Sequence, residues 1–178
     1  MQKYSDCPVI LRDFLTYHET IKGQSQKTIS EYYLDLRMFL RFLKLMRHDM
    51  PIHTRLEDIP IKDVDLTFVG SVTTSEVFDF LSYLASDRPL NPDSPAPDYG
   101  IAPAARARKL SAIKSFYKYL TVRTKQLTEN PVADLEYPKL RKSLPKYLTL
   151  SQASDLLQAV SGQNTRRDYA ILMLFLNC

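Results

Sequence analysis

One face of a predicted helix in this chain carries side chains that could bind phosphate groups and the edges of nucleic-acid bases. Cations and short side chains share that face at helical spacing: Arg108, Ser111, Ala112, Ser115, Lys118 and Tyr119, with Ala107 beside them. Small residues let a helix backbone come close to a groove, while the cations reach phosphates or base edges. The alternative interpretation is an ordinary solvated face with short side chains.

A second group of cations follows in the segment 139–146, next to Pro138 and Pro145. The prolines predict an extended backbone, which could lie along a phosphate backbone and join two domains. The cations of this segment are Lys139, Arg141, Lys142 and Lys146.

The distribution of charge along the chain favours a polyanionic partner. Residues 99–147 include 11 basic and 3 acidic residues, whereas residues 1–98 include 11 basic and 15 acidic ones. The net charge of +4 therefore conceals a strongly basic central block, which is typical of a nucleic-acid-binding surface. The alternative is a helical protein-interaction module with an incidental basic surface that serves solubility.

Residues that commonly bind metals or act as nucleophiles form no recognisable site in the sequence. The three histidines, His18, His48 and His53, have no carboxylate or cysteine at ligand spacing, so we expect surface or loop positions for them. Cys7 and Cys178 lie at opposite ends of the chain and are expected to be unpaired thiols. The spacing of these residues therefore predicts no metal site.

Hydropathy predicts a cytoplasmic protein without a membrane partner. The longest apolar run, at residues 170–176, is far shorter than the ~20 residues that a membrane span requires. The N-terminus contains Asp6 and has no apolar stretch of the signal-peptide type.

Apolar residues recur at intervals typical of helices throughout the chain, which predicts an all-α fold. Four long helices are expected over residues 9–21, 25–47, 73–85 and 103–123, with Ser25 as an N-cap, a capping box at 73–76 and Pro103 in a first turn. Residues 49–72 and the proline-rich segment 87–100 are predicted to be irregular. The first helix is expected to bury Ile10, Phe14, Tyr17 and Ile21. The second and fourth predicted helices are expected to bury apolar stripes that include Leu36 and Phe39, and Ile113 and Phe116, respectively.

Further helices are predicted after the basic segment. A capping box at 149–152 begins one of them, and another begins near Thr165. The last helix is apolar on nearly every face, as is typical of a helix inside a protein core. We therefore expect the chain to be the front part of a larger protein, with a new domain that starts near residue 148.

Four segments together resemble the front portion of the tyrosine recombinases (the phage-integrase family), and most closely its bacterial Xer-type members. They are KT at 27–28 with YYLDL at 32–36 and FL at 39–40; RKLSAIKSFYKYL at 108–120; NP at 130–131 with PK at 138–139 and LP at 144–145; and LT at 148–149 with LL at 156–157 and RDYAIL at 167–172. No segment is specific by itself, but the four segments, taken in this order and at this spacing, extend over most of residues 8–178.

In that family, a four-helix, SAM-like core-binding domain and a C-terminal catalytic domain clamp opposite faces of DNA and are joined by a basic linker. The resemblance implies a core-binding domain over residues 1–125, the linker over 126–147, and the first helices of a truncated catalytic domain over 148–178. It also implies double-stranded DNA as the partner, with the start of the second predicted helix and the face of the fourth in the major groove. The implied contacts are Lys27, Thr28, Arg106, Arg108, Lys109, Ser111, Lys114, Lys139, Arg141, Lys142 and Lys146. Helical geometry nevertheless places Lys109 towards the buried side.

The family cleaves and rejoins DNA strands through a covalent phosphotyrosine intermediate, without a metal or a nucleotide, in a tetrameric synapse. The resemblance therefore implies no cofactor and no small-molecule substrate. The resemblance transfers no catalytic residue to this chain, because the first catalytic arginine of the family lies just beyond Cys178. We therefore expect the chain to bind DNA without cleaving it, and its parent to be a site-specific recombinase that self-associates.

Overall fold

The structure is a computed structural model, which describes residues 4–47, 54–90, 94–96, 98–139 and 147–177. The described residues form helices and no strand apart from an isolated bridge between Pro89 and Tyr99, so the predicted all-α class is confirmed. The chain divides into two compact units, Met1–Leu140 and Arg141–Cys178, which we describe separately.

The described residues of the first unit form five α-helices, most of them close to their predicted positions. The second and fifth helices are the longest and pack against each other, and the first also packs on the second. The helices are α1 (Val9–Thr20), α2 (Gln26–Arg47), α3 (Leu66–Gly70), α4 (Thr74–Ser82) and α5 (Pro103–Lys118), with wide π-type turns that extend α4 through Tyr83–Asp87 and α5 through Tyr119–Arg123.

The helix starts follow the capping signals in the sequence. The Ser25 hydroxyl accepts the Thr28 N–H at 3.3 Å at the start of α2. At the start of α4, the Thr73 hydroxyl accepts the Glu76 N–H and the Glu76 carboxylate accepts the Thr73 N–H, which completes the predicted capping box. Pro103 occupies the first turn of α5, where its missing N–H leaves no helical bond unmade. The second and fifth helices therefore begin where the sequence predicts.

The short helix α3 lies inside the segment 49–72, which we predicted to be irregular, so that prediction was wrong for residues 66–70. The Asp65 side chain caps the helix by accepting the Phe68 N–H at 2.8 Å. Val69 is buried and its carbonyl accepts the Tyr117 hydroxyl at 2.9 Å, which ties α3 to α5. A helix of five residues is too short to show a periodic apolar pattern, so tertiary packing decides its formation.

The core lies mainly between α2 and α5. Their predicted apolar stripes are buried, including Leu36 and Phe39 of α2 and Ile113 and Phe116 of α5. The predicted face of α1 was wrong at its end, because Ile21 is 71% exposed and the helix instead buries Leu11, Phe14, Leu15 and His18. Ala112 was also placed wrongly: it is fully buried rather than part of the exposed face of α5.

The chain continues to pack on the first unit well beyond α5. Val132 and Leu135 belong to the hydrophobic core, and the Thr74 hydroxyl donates to the Pro131 carbonyl at 2.8 Å. The compact unit thus extends past residue 125, where we predicted the domain to end. The unit extends further because Val132 and Leu135 are buried in its core. The residues around these two positions are polar, so the sequence does not mark them as core positions.

Over residues 147–177, the second unit forms two helices, α6 (Leu150–Gln158) and α7 (Thr165–Asn177). The Thr149 hydroxyl accepts the Gln152 N–H at 3.3 Å and Gln152 bonds back to Thr149, as the predicted capping box requires. Within this unit α7 leaves large apolar side chains in solvent, among them Phe175, which is 79% exposed.

Candidate nucleic-acid interface

Four of the predicted DNA contacts line one cleft between the start of α2 and the face of α5. Lys27 and Thr28 come from α2, and Arg108 and Ser111 come from α5, about 80 residues later in the sequence. The cleft has a volume of about 280 Å³ and its remaining walls are Glu31, Tyr32 and Asp35. Packing of α2 on α5 therefore brings the two sequence-distant groups together.

The α2 side of the cleft is the first turn of a 22-residue helix. Lys27 is exposed there, and the Thr28 hydroxyl lies 3.0 Å from the Ser25 hydroxyl. The N–H groups of a helix N-terminus and the helix dipole attract phosphate groups. Together with the ammonium group of Lys27, this turn has the electrostatic character that suits a nucleic-acid backbone.

The α5 side of the cleft contains a cluster of two cations and two carboxylates. Nη1 of Arg108 lies 2.5 Å from Oε2 of Glu31 and 2.7 Å from Oδ2 of Asp35. Nζ of Lys109 lies 2.6 Å from Oδ1 of Asp35. We call these four residues the carboxylate–arginine cluster; their formal charges cancel, although Arg108 and Glu31 both remain partly exposed.

Lys109 lies on the buried side of α5, as its helical position indicated. Its side chain is only 7% exposed, and its ammonium group contacts Asp35, which is 1% exposed. A salt bridge of this kind joins α2 to α5 inside the protein. The ammonium group of Lys109 is therefore already paired with a buried carboxylate, and its contact with DNA stays a prediction.

The end of the first unit covers part of the α5 face. The Ser111 hydroxyl lies 3.4 Å from the Tyr137 hydroxyl, and Nζ of Lys114 donates to the Ala133 carbonyl at 3.0 Å. Nζ of Lys114 also lies 5.4 Å from the centre of the Tyr137 ring. Segment 131–137 therefore lies beside the cleft, with Lys114 bound to it.

The other predicted contacts lie outside this arrangement. Arg106 is half-buried in α5, one turn before Leu110, and does not line the cleft. Lys139 is exposed at the end of the described segment. Arg141, Lys142 and Lys146 lie outside the described residues, so their placement stays a prediction.

His18 takes part in this region, which the sequence did not predict, because we expected it at the surface or in a loop. It is only 8% exposed: Nδ1 donates to Oε1 of Gln24 at 2.9 Å, and Nε2 lies 3.4 Å from the Ser115 hydroxyl. Burial lowers the pKa of His18, the bond to Gln24 raises it, and the charge of Lys22 lowers it. The imidazole thereby links the α1–α2 turn to α5.

A pattern in the sequence could have identified His18 as buried. Leu11, Phe14, Leu15 and His18 recur at intervals of three, one and three residues, which is the spacing of one helical face. The ring packs among aromatic neighbours, with its centre 4.5 Å from that of Phe14 and 5.2 Å from that of Tyr32.

Beside His18, a second and smaller cavity extends the basic surface. Its volume is about 190 Å³, and its walls include the cations Lys22, Lys118 and Arg123. None of the three makes an ion pair within the described part of the chain, in contrast to Arg108 and Lys109. Ser115 contributes to this wall and lies one helical turn from Ser111, so the two cavities follow the same face of α5.

Searches for other kinds of site gave negative results over the residues that the structure describes. No group of three or more histidine, cysteine, aspartate or glutamate side chains is arranged to hold a metal ion. Among the same residues, no helix combines the length and the hydropathy needed to cross a membrane.

Comparison with known proteins identifies close relatives. The chain is 39% identical over 171 residues to the tyrosine recombinase XerC of Caldanaerobacter subterraneus subsp. tengcongensis, which covers 96% of this chain and 45% of that protein. It is 32% identical over 167 residues to a tyrosine recombinase XerC of Myxococcus xanthus, across 93% of this chain and 45% of the relative. It is 31% identical over 176 residues to the tyrosine recombinase XerD of Shewanella oneidensis, across 98% of this chain and 48% of the relative.

The chain thus spans about half the length of the curated relatives that it matches. No protein-family model matches the chain, and no solved structure matches it either. The identities extend over nearly the whole chain. Over the region that it shares with these relatives, the chain belongs to the tyrosine recombinase family and is of the Xer type.

Proposed function

We propose that this chain is the DNA-binding part of a site-specific tyrosine recombinase. In this proposal the first turn of α2 and the exposed face of α5 enter the major groove of double-stranded DNA. The observation that supports it best is the single cleft in which Lys27, Thr28, Arg108 and Ser111 meet. A concave surface that presents cationic and hydroxyl side chains together can contact the phosphates of a duplex and read its base edges.

The two compact units suit the domain arrangement that the family resemblance implies. The first unit would be the core-binding domain, and α6 and α7 would begin the catalytic domain. The basic segment between them, with Lys139, Arg141, Lys142 and Lys146, would follow the phosphate backbone as a linker. The exposed apolar side chains of α7 are compatible with a helix that further elements of a catalytic domain cover.

The proposed activity of the whole protein is cleavage and rejoining of DNA strands through a phosphotyrosine intermediate, within a tetrameric assembly. This chain would contribute DNA binding and no catalytic residue. A single domain of a two-domain clamp makes only part of the phosphate contacts, so the chain by itself should bind DNA more weakly than the whole protein.

Charge reversal at the cleft tests the proposal. Lys27 is exposed and makes no ion pair in the described part of the chain, so Lys27→Glu should leave folding intact. We expect this variant to bind duplex DNA at least about tenfold more weakly at low salt, because an added carboxylate repels the phosphates. Lys62→Glu is the matched control, since Lys62 is exposed and lines a different cavity.

Unchanged DNA affinity in Lys27→Glu would contradict the proposal. That result would instead favour a helical protein-interaction module whose basic surface has no nucleic-acid partner. An equal loss in both variants would mean that only the overall charge matters and that the cleft is not the binding site.

A further inference from the structure

The way Arg108 is held in the carboxylate–arginine cluster leaves one edge of its guanidinium group available. Both carboxylates contact the same nitrogen, Nη1, with Glu31 at 2.5 Å and Asp35 at 2.7 Å. Nε and Nη2 make no hydrogen bond with any described residue. These two nitrogens form the side edge of the fork, whose two parallel N–H groups suit a bidentate acceptor.

The two carboxylates differ in how firmly they are fixed. Asp35 is buried and also bound to Lys109, so the packing of α2 on α5 determines its position. Its contact with Arg108 is an ion pair without the alignment of a hydrogen bond, whereas the Arg108–Glu31 contact is hydrogen-bonded. Glu31 is partly exposed on the wall of the cleft, where it limits the directions that the guanidinium can take.

The charge of the cluster bears on which part of a duplex Arg108 would contact. A phosphate is attracted by net positive charge, but here two carboxylates surround the guanidinium and offset its charge and that of Lys109. Glu31 would also repel a phosphate that approached Arg108. The N7 and O6 acceptors of guanine carry no formal charge and match the free edge of an arginine fork, which is the commonest specific contact in the major groove.

We propose that Arg108 reads one guanine in the major groove, and that Glu31 and Asp35 are positioning residues that hold its Nη1 and direct its free edge. This inference rests on the proposed function, since it assumes that the cleft binds duplex DNA. It also assigns different roles to the two groups of residues. Lys27 and the cations of the second cavity, Lys22, Lys118 and Arg123, supply affinity by contacting phosphates, whereas the carboxylate–arginine cluster supplies selectivity for the base sequence.

The test measures the contribution of guanine N7 with the full chain. A preferred duplex is first selected from a random pool, and each of its guanines is then replaced in turn by 7-deazaguanine, which lacks the N7 acceptor. We expect replacement of one guanine to weaken binding of the unmodified protein about tenfold. Arg108→Ala should bind the parent duplex more weakly, and it should lose no further affinity when that guanine is replaced by 7-deazaguanine.

Two more variants distinguish a role in positioning the Arg108 guanidinium from a role in folding. Arg108→Lys keeps the charge but lacks the fork, so it should lose the guanine effect and keep its salt dependence. Glu31→Gln should reduce the guanine effect to below about threefold, raise affinity for a scrambled duplex, and steepen the salt dependence by about one phosphate contact. Asp79→Asn is the matched control, because it removes a carboxylate from the exposed surface of α4. It should change neither the guanine effect, nor the affinity for the scrambled duplex, nor the salt dependence.

Three outcomes would overturn the inference. They are a flat 7-deazaguanine scan in a protein that binds DNA, a guanine effect that persists in Arg108→Ala, and an equal loss of affinity for both duplexes in Glu31→Gln. The first of these leaves the proposed function standing. Failure of the unmodified protein to bind any duplex would overturn the proposed function as well, so the two failures are distinguishable.

Discussion

Removing the Asp35 carboxylate should destabilise the first unit strongly, because it would leave a buried ammonium group without its partner. Asp35 is 1% exposed and lies 2.6 Å from Nζ of Lys109, whose side chain is 7% exposed. Breaking a buried pair by removing one partner costs roughly 3–5 kcal/mol. For a unit of this size, that cost corresponds to a fall in melting temperature of roughly 10–20 °C.

Urea denaturation of Asp35→Asn, followed by far-UV circular dichroism at pH 7, measures this cost. Asp79→Asn is the control, since Asp79 is exposed on α4, and its free energy of unfolding should stay within about 0.5 kcal/mol of the original. The double variant Asp35→Leu with Lys109→Met should recover much of the loss, because well-packed apolar residues replace a buried ion pair at little cost. A loss below about 1 kcal/mol in Asp35→Asn would refute the argument that this pair fixes α2 on α5.

Three further predictions concern pH and salt. The hydrogen bonds from Arg47 hold the pKa of Glu76 below its usual value, so Glu76→Gln should lower the free energy of unfolding at pH 7. The effect should shrink as the pH falls below the usual pKa of a glutamate, measured by urea denaturation. Burial lowers the pKa of His18, so the folded state binds fewer protons than the unfolded chain, and the free energy of unfolding should fall as the pH drops below about 6.5. His18→Gln should flatten that decline, and an unchanged slope would contradict the assignment of the decline to His18. Lys118→Ala and Arg123→Ala should each reduce the salt dependence of DNA binding by about one phosphate contact without altering the preferred sequence. A changed sequence preference would contradict the proposal that these two cations contact phosphates.

Much of the fold could be predicted from the sequence where apolar periodicity and capping signals agree. The stripes of α2 and α5 are long enough for the pattern to be unambiguous, and Ser25 and Thr73 mark helix starts through bonds to nearby N–H groups. The position of Lys109 on the buried side also followed from helical geometry alone. These are local features, and local features are what a sequence encodes most directly.

The features that the sequence did not reveal depend on contacts between distant residues. Glu31 and Arg108 are 77 positions apart, and only the packing of α2 on α5 brings them together. Formation of the short helix α3 depends on the packing of Val69 against α5, which leaves no periodic pattern in the sequence. His18 shows the opposite case: its spacing did indicate burial, but its residue type suggested a surface position.

Selection from a randomised duplex pool at low and moderate salt tests most directly whether the cleft between α2 and α5 reads a DNA sequence. We expect one half-site motif to be enriched and to persist at the higher salt concentration, since base contacts depend less on salt than phosphate contacts do. Lys62→Glu should select the same motif. Binding that yields no motif and disappears on addition of salt would contradict the claim and reduce the basic surface to a non-specific one.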